Sequence, residues 1–148
     1  MLVIAAMVGT SVWYFFIRAD RFPHEYSAGG STVSLDSALS EHRITIPSSA
    51  SGVGYYANDE VEDHLLRLDF VLPCGDVQSM MEINGLLAVD GQTGLSDASV
   101  VTDAREHGWS RRSDDVFAER PKSPALGELT AMFAHEAGTC HVYLDALI

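Results

Sequence analysis

Two stretches of the chain have the periodicity of amphipathic helices. Apolar residues recur at intervals of three and four around residues 36–42, and either Ser34 or Asp36 can cap the helix that this spacing predicts. Asp76 can cap a second helix, for which Gly85 offers a stop. The residues that share one side of this second helix are Val77, Met80, Met81 and Asn84. Two short helices are therefore predicted, each with one apolar side.

Alternation of apolar and polar positions predicts the strongest strand over residues 64–72. The apolar residues at every second position are Leu66, Leu68, Phe70 and Leu72. One face of this strand is therefore expected to be buried. Residues 53–57 predict another strand, and the polar residues 58–63 between the two have a suitable length for a hairpin loop.

The second half of the chain contains further strand patterns. Apolar runs at residues 86–89 and 99–102 predict short strands. The last two runs, residues 126–134 and 140–148, flank a polar stretch and predict a terminal hairpin. A helix that opens at Ser123 is the alternative, because the next residue is a proline and proline is frequent at the first helical position.

The first 17 residues, MLVIAAMVGTSVWYFFI, contain no charged side chain. As a helix they would extend about 25 Å, at the short end of what crosses a bilayer. Trp13 and Tyr14 lie near the end of this stretch, where aromatic rings favour the headgroup layer, and Arg18 and Arg21 follow. The pattern predicts an uncleaved transmembrane anchor. A cleaved secretory signal and a buried core helix are the alternatives, although the bulky Tyr-Phe-Phe ending fits a cleavage site poorly.

Together these patterns predict an α+β fold. The expected architecture is an antiparallel, four- to five-stranded sheet with two helices on one face, preceded by an N-terminal transmembrane helix. The expected organisation is an anchor (residues 1–18), a linker rich in small polar residues (19–33) and an acidic α+β domain (34–148).

The chain has two cysteines, Cys74 and Cys140, which are predicted to form a disulfide. Cys74 lies just past the strand at 64–72, and Cys140 begins the last strand. If these strands are antiparallel neighbours, the two Cα atoms could approach the roughly 5.5 Å that a bridge needs. Closing a loop of about 67 residues would stabilise the fold by about 4 kcal/mol in the chain-entropy estimate. Two buried free thiols are the alternative.

Composition and charge exclude several classes of protein. Among 148 residues, Lys+Arg is 9 and Asp+Glu is 21, which gives a net charge of -12. Nucleic acid is therefore excluded as a partner, because its phosphates require a basic surface. A hydrophobic content of 47% with 20% charged residues is too apolar for a disordered chain and too polar for a multi-span membrane protein.

The expected location is the plasma membrane, with a single span and the domain on the extracytoplasmic side. The cysteine pair suits an oxidising compartment, which favours this orientation. Arg18 and Arg21 support the opposite orientation, because basic residues that flank a span usually remain in the cytoplasm. The inward-facing domain is therefore the alternative.

The order of these elements resembles that of small uncharacterised, envelope-anchored proteins of actinobacteria. The resemblance covers residues 35–85 and the last ten residues, through the segments ITIP, GVGYYAND, DHLLRLDFVLP and VYLDALI. It implies a single-pass or secreted α+β domain on the cell envelope. It brings no known activity and no site residues.

An acidic loop and an aromatic loop provide the candidate partner-binding residues. Four carboxylates lie close together in the predicted hairpin loop: Asp59, Glu60, Glu62 and Asp63. This loop lacks the glycine and the final glutamate of an EF-hand, so it is either a solvated acidic surface or a contact for a cationic protein partner. Trp109 stands beside Arg111 and Arg112 in the segment HGWSRR, where an aromatic anchor could hold a partner; a tryptophan that covers the core is the alternative.

No catalytic residue, metal site or cofactor is predicted. His135 and His141 are six residues apart, whereas the zinc-protease helix places two histidines four residues apart. A zinc site would compete with the disulfide for the same sulfurs, and its ligands would be Cys74, Cys140, His135 and His141. The favoured function is a non-enzymatic, membrane-anchored envelope protein that binds or scaffolds. The alternative is a small hydrolase or metal-dependent enzyme that uses His107, His135 or His141.

Overall fold

The computed structural model describes residues 31, 33–58, 64–89, 100, 105 and 112–148. They form an α+β fold with a six-stranded antiparallel sheet. The strands are β1 (Ser51–Asn58), β2 (Leu65–Pro73), β3 (Leu87–Val89), β4 (Val116–Ser123), β5 (Gly127–Glu136) and β6 (Thr139–Leu147). Helix α1 (Leu35–His42) precedes the sheet, and α2 (Val77–Asn84) connects β2 to β3 after a 3-10 turn (Cys74–Asp76).

The C-terminal strand lies in the middle of the sheet, whose order is β1-β2-β6-β5-β4-β3. Strand β6 pairs with β2 over nine residue pairs, from Leu65↔Leu147 to Pro73↔Thr139. The other side of β6 pairs with β5, which confirms the predicted terminal hairpin. The hairpin turns through Ala137 and Gly138, whose φ angles of 49° and 92° belong to the tight two-residue turn that suits strand twist.

The sheet has more strands than the four to five predicted. Strand β4 was missed because its second half, Arg120-Pro121-Lys122-Ser123, reads as a polar loop in the sequence. The predicted strand at 99–102 is wrong at Val100, which is helical and fully buried. Burial of this valine on the sheet, rather than pairing in it, explains the apolar run that suggested a strand.

The helices begin and end close to the predicted positions. The Ser34 hydroxyl accepts a hydrogen bond from the backbone N–H of Ser37, so Ser34 is the N-cap of α1. Gly85, with a φ of 66°, ends α2 as predicted. Asp76 precedes α2 but its side chain caps no backbone N–H group. Its carboxylate instead accepts a hydrogen bond from the hydroxyl of Ser49, 2.7 Å away, which ties the start of α2 to the segment before β1.

One face of the sheet, the helix side, is covered by α1 and α2. From β2 it presents Leu66, Leu68, Phe70 and Leu72, each at most 2% exposed. These side chains share one apolar cluster with Ala38 of α1 and with Met80 of α2. Burial of each leucine contributes about 1.5–3 kcal/mol. The helix side therefore holds the main core of the domain, and the predicted burial of this face of β2 is confirmed.

The predicted anchor, most of the predicted linker and the Asp59–Asp63 loop lie outside the described residues. Among the residues that are described, no helix combines the length and the apolar character needed to cross a membrane.

Candidate functional site

The face of the sheet opposite the helices, called the second face here, is divided into two halves. The apolar half, on β3, β4 and β5, contains a small cluster of buried side chains: Phe117, Met132 and Ala134, with Val89, Val100 and Tyr143 packed against them. The polar half, on β1, β2 and β6, consists of Tyr56, Arg67, Asp69, His141 and Asp145. Two charged pairs thus lie side by side on β2 and β6, while the register places Glu119 of β4 and Glu136 of β5 on the same face beside the apolar cluster.

Antiparallel pairing brings the charged residues of β2 and β6 together. Arg67 lies opposite Asp145, and its Nε is 3.9 Å from a carboxylate oxygen of that residue. One step along the strands, Asp69 Oδ2 is 3.6 Å from His141 Nε2. The side chains of Arg67 and His141 remain 36% and 30% exposed, whereas those of Asp145 and Asp69 are 12% and 18% exposed. The carboxylates therefore lie deeper than the bases that face them.

Tyr143 marks the boundary between the two halves. Its ring stacks on the ring of His141, with centroids 4.7 Å apart and planes inclined by 13°. Burial, and then the carboxylates of Asp69 and Glu136, raise the pKa of Tyr143 to about 12. The phenol therefore stays neutral at physiological pH and is unsuited to act as a base. Its role in this geometry is to position the His141 ring by stacking.

Asp69 is a charged group of the polar half whose hydrogen-bonding capacity is incompletely used. Its Oδ1 atom is buried and accepts no hydrogen bond from the described residues, and its Oδ2 atom lies beyond normal hydrogen-bond distance from His141. A carboxylate that is largely removed from water is stabilised by an additional cation or donor. The polar half can therefore recognise positive charge.

The arrangement gives little support to hydrolysis by His141. A histidine base must be within hydrogen-bond reach of a nucleophile, with its other nitrogen oriented by a third group. Within the described part of the chain, the polar partner of the His141 ring is Asp69, and its other ring contact is Tyr143.

The two cysteines lie at the end of the sheet, on the helix side. Cys140 of β6 is fully buried and pairs with Leu72 of β2, while Cys74 is partly exposed at the start of the 3-10 turn. Their sulfurs are at disulfide distance, with Cα atoms 5.0 Å apart. The prediction that β2 and β6 bring these residues together is confirmed. No free cysteine remains.

His135 lies beside this bridge, because it is directly opposite Cys140 in the β5–β6 hairpin. Strand β4 begins at Val116, so the edge of β5 at His135 has no neighbouring strand from β4. Two side chains take the place of a strand by bonding to the His135 backbone. The Asp115 carboxylate accepts from the His135 N–H at 3.2 Å, and Arg112 donates to the His135 carbonyl at 2.8 Å. The backbone position of His135 is thereby fixed.

Of the four zinc ligands named from the sequence, His141 does not lie with the other three. His135 projects to the helix side with Cys140, whereas His141, the next residue along β6, projects to the second face. The groups that converge are Cys74, His135 and Cys140, whose possible ligand atoms all lie within 4.8 Å of one another.

Two further polar side chains are buried near the end of α1. The Arg120 guanidinium donates to the carbonyls of His42 and Leu126, which links the C-terminus of α1 to the β4–β5 turn. Burial, and then the charge of Arg43, lower the pKa of Arg120. Burial is also the largest cause that lowers the pKa of His42. The contacts of Arg120 are to backbone groups within the fold, so we assign Arg120 a structural role.

The partner-binding residues predicted from the sequence are mostly not placed. Outside the described residues are Asp59, Glu60, Glu62, Asp63, His107, Trp109 and Arg111. Arg112 is placed: its guanidinium binds the His135 carbonyl, and its N–H donates to the Asp115 carboxylate. A contact of Arg112 with a partner stays a prediction.

Sequence reasoning missed the polar half, although the sequence contained its signal. Arg67 and Asp69 are the polar members of the alternating β2 pattern, and His141 and Asp145 have the same period in β6. Treating alternate polar positions as solvent-facing is the usual interpretation of such a pattern. Recognising a site required the register that places the two sets side by side.

Comparison with protein families, with curated proteins and with solved structures found no match to this chain. The function of this chain is therefore inferred from its own geometry.

Proposed function

We propose that this chain is a non-enzymatic binding domain that receives a cationic segment of a protein partner on the polar half of its second face. The observation that supports this proposal most directly is Asp69. Its carboxylate is largely buried, its nearest base is 3.6 Å away, and one of its oxygens accepts no hydrogen bond from the described residues. A lysine or arginine of a partner would supply the missing charge and donor.

The overall charge of the chain supports the same class of partner. A net charge of -12 attracts basic proteins over long range and raises their association rate. Four of the residues between β1 and β2 in the sequence, Asp59, Glu60, Glu62 and Asp63, are acidic and contribute to this charge. The attraction is expected to weaken as salt rises, because exposed charges are screened beyond about 10 Å at 0.1 M ionic strength.

We further propose that the domain acts at the extracytoplasmic side of the plasma membrane. The uncharged residues 1–17 support a single-pass anchor, and a cysteine pair at disulfide distance suits an oxidising compartment. Alkaline phosphatase and green fluorescent protein, each fused to the C-terminus in cells, test the orientation. We expect an active phosphatase and no fluorescence, and the reverse result would place the domain in the cytoplasm.

Binding to a labelled oligolysine peptide tests the proposed partner chemistry. Full-length protein in detergent micelles is titrated with this peptide and, separately, with oligoglutamate of the same length. We expect oligolysine to bind with an affinity that falls with salt, and oligoglutamate not to bind. Asp69→Asn should weaken binding at least about fivefold, the equivalent of about 1 kcal/mol.

Glu82→Gln is the charge-matched control, because it removes one negative charge from the exposed surface of α2 on the other side of the sheet. We expect this variant to change the affinity less than about twofold. Equal effects of the two substitutions would show that oligolysine responds to net charge alone, and the proposal for the polar half would then be wrong.

A further inference from the structure

The side chains of Cys74, Cys140 and His135 converge at one end of the sheet. Each offers a soft or borderline ligand atom, and these atoms lie within 4.8 Å of one another. We propose that reduction of the Cys74–Cys140 bridge converts this cluster into a binding site for a thiophilic divalent metal ion such as Zn²⁺. The metal site and the disulfide cannot exist at the same time, because both use the same two sulfurs.

The separation of the groups matches what such an ion requires. Tetrahedral zinc holds thiolates at about 2.3 Å, which places two ligand sulfurs about 3.8 Å apart. The sulfurs are closer than this when bonded to each other, so reduction must let them separate. Partly exposed Cys74, at the start of a turn, is the residue with room to move, whereas Cys140 is held within the central strand. Two thiolates and one imidazole leave a fourth position for water.

His135 has the features of a ligand held in position. Its Nδ1 atom is buried and has no hydrogen-bond partner among the described residues. A buried polar nitrogen without a partner is costly in a folded protein and calls for an explanation. Meanwhile its backbone is fixed on both sides, by the carboxylate of Asp115 and the guanidinium of Arg112. The ring is therefore directed at the sulfurs by a rigid strand edge.

The chemical steps balance as follows. A dithiol reductant supplies two electrons and two protons to the S–S bond, which breaks into two thiols while the reductant forms its own disulfide. The metal ion then displaces both thiol protons into solvent and forms two metal–sulfur bonds and one metal–nitrogen bond to neutral His135. Exchange of the two thiolates with an external disulfide re-forms the Cys74–Cys140 bond, reduces that disulfide to two thiolates and releases the metal.

Titration with Co²⁺ tests the site, because tetrahedral Co²⁺–thiolate complexes absorb strongly in the near-ultraviolet and visible range. Full-length protein is reduced with a phosphine under anaerobic conditions, the phosphine is removed, and Co²⁺ is added. We expect thiolate charge-transfer and tetrahedral ligand-field bands that saturate at one equivalent and disappear when Zn²⁺ is added. Oxidised protein should give neither band.

His135→Gln and His141→Gln form a matched pair of variants. We expect His135→Gln to weaken Co²⁺ binding by at least about tenfold. Loss of a residue that only supports a metal ligand can already cost this much affinity. His141→Gln should leave the affinity unchanged, since His141 lies on the opposite face. Absence of the bands in reduced wild-type protein, or equal losses in the two variants, would overturn the proposal.

A second measurement guards against unfolding after reduction. Circular dichroism follows thermal unfolding of the reduced protein with and without Zn²⁺. Because a metal that binds the folded state alone raises its stability, Zn²⁺ should raise the Tm of reduced wild-type protein but not that of reduced His135→Gln. If Zn²⁺ neither raises the Tm nor restores a folded spectrum, the proposed site does not exist.

Discussion

The two faces of the sheet differ in how uniformly they are apolar, and this difference separates stability from recognition. The helix side is apolar along the whole of β2 and β6 and shares its core with α1 and α2. The second face holds a small apolar cluster on β4 and β5 and two charged pairs on β2 and β6. The same two strands therefore contribute a continuous core to one face and five titratable side chains, those of Arg67, Asp69, His141, Tyr143 and Asp145, to the other.

This comparison assigns different roles to neighbouring residues. Leu68 is buried beneath the helices, while Asp69, the next residue, is part of the polar half. Because a strand alternates its side chains, neither residue can take the place of the other without a shift in register. The polar half therefore lies directly beside the core, on the same two strands.

Substitution of two adjacent leucines gives the largest expected difference between the faces. Leu66 is 0% exposed on the helix side, whereas Leu65 is only partly buried on the second face. We expect Leu66→Ala to lower the free energy of unfolding by about 3 kcal/mol, because it leaves a cavity, and Leu65→Ala to lower it by less than about 1 kcal/mol. Urea denaturation measures both values.

Similar losses for the two variants would contradict the distinction between the faces. The pair is well controlled, because it compares the same chemical change at two positions of one strand.

The regular elements were predicted from the sequence where one periodicity dominated. Strand β2 and helix α2 were found nearly in full, because alternation and helical spacing are strong there. Strand β4 was missed because Arg120, a buried residue, appears in the sequence as part of a polar segment. Its burial depends on carbonyls of His42 and Leu126, which no local pattern reveals.

The candidate sites were predictable to a smaller extent. The Cys74–Cys140 juxtaposition followed from strand order alone, since it needs two neighbouring strand ends. Separation of His135 from His141 required the hairpin register, because a turn that was one residue longer would place both on the same face. Asp69 could not be singled out among 21 acidic residues before its neighbours across the sheet were known.

Asn84 is a polar residue on the helix side, and its removal is expected to cost about 2 kcal/mol. Its side chain accepts from the Thr45 N–H at 2.8 Å and donates to the Thr45 carbonyl at 3.0 Å, so it joins α2 to the segment before β1. Asn84→Ala removes the partner of the Thr45 N–H and carbonyl, which form part-buried hydrogen bonds, and the loss of such partners typically costs about 1–3 kcal/mol. Chemical denaturation measures the loss.

Gln78→Ala is the control for this prediction, because Gln78 lies exposed on the same helix and bonds to Glu82. We expect it to cost less than about 0.5 kcal/mol. An equally small cost for Asn84→Ala would mean that buried polar groups on the helix side do not support the fold.

Alkaline pH should destabilise the protein through Tyr143. Its pKa is raised from 10.0 to about 12 in the folded state, so the unfolded chain loses this proton first as pH rises. The stabilisation by neutral Tyr143 is complete below about pH 10 and decreases as pH rises toward 12. Between about pH 9 and pH 11, deprotonation of this tyrosine in the unfolded chain lowers the free energy of unfolding by about 1.4 kcal/mol, which corresponds to one pKa unit.

The measurement is the change in unfolding free energy between these two pH values. We expect Tyr143→Phe to lose about 1.4 kcal/mol less than wild-type protein over this interval. Identical pH profiles for the two proteins would show that the boundary of the polar half is open to water.

The smallest expected effect is the coupling between Arg67 and Asp145. These groups are 3.9 Å apart, and the Arg67 side chain is 36% exposed, so water and salt screen their attraction. A double-mutant cycle with Arg67→Gln and Asp145→Asn should give a coupling below about 1 kcal/mol, decreasing as salt is added. The reference pair is Lys122 and Glu128, which lie at the surface with 74% and 51% of their side chains exposed.

A coupling above about 2 kcal/mol between Arg67 and Asp145 would reverse the interpretation of the polar half. Strong coupling would mean that these charges act as a preformed structural network, as Asn84 does on the helix side. Such a network would resist the rearrangement that a cationic partner requires, because any new ion pair would have to compete with the existing one. Weak coupling instead leaves both residues able to exchange partners at little cost, which a recognition surface needs.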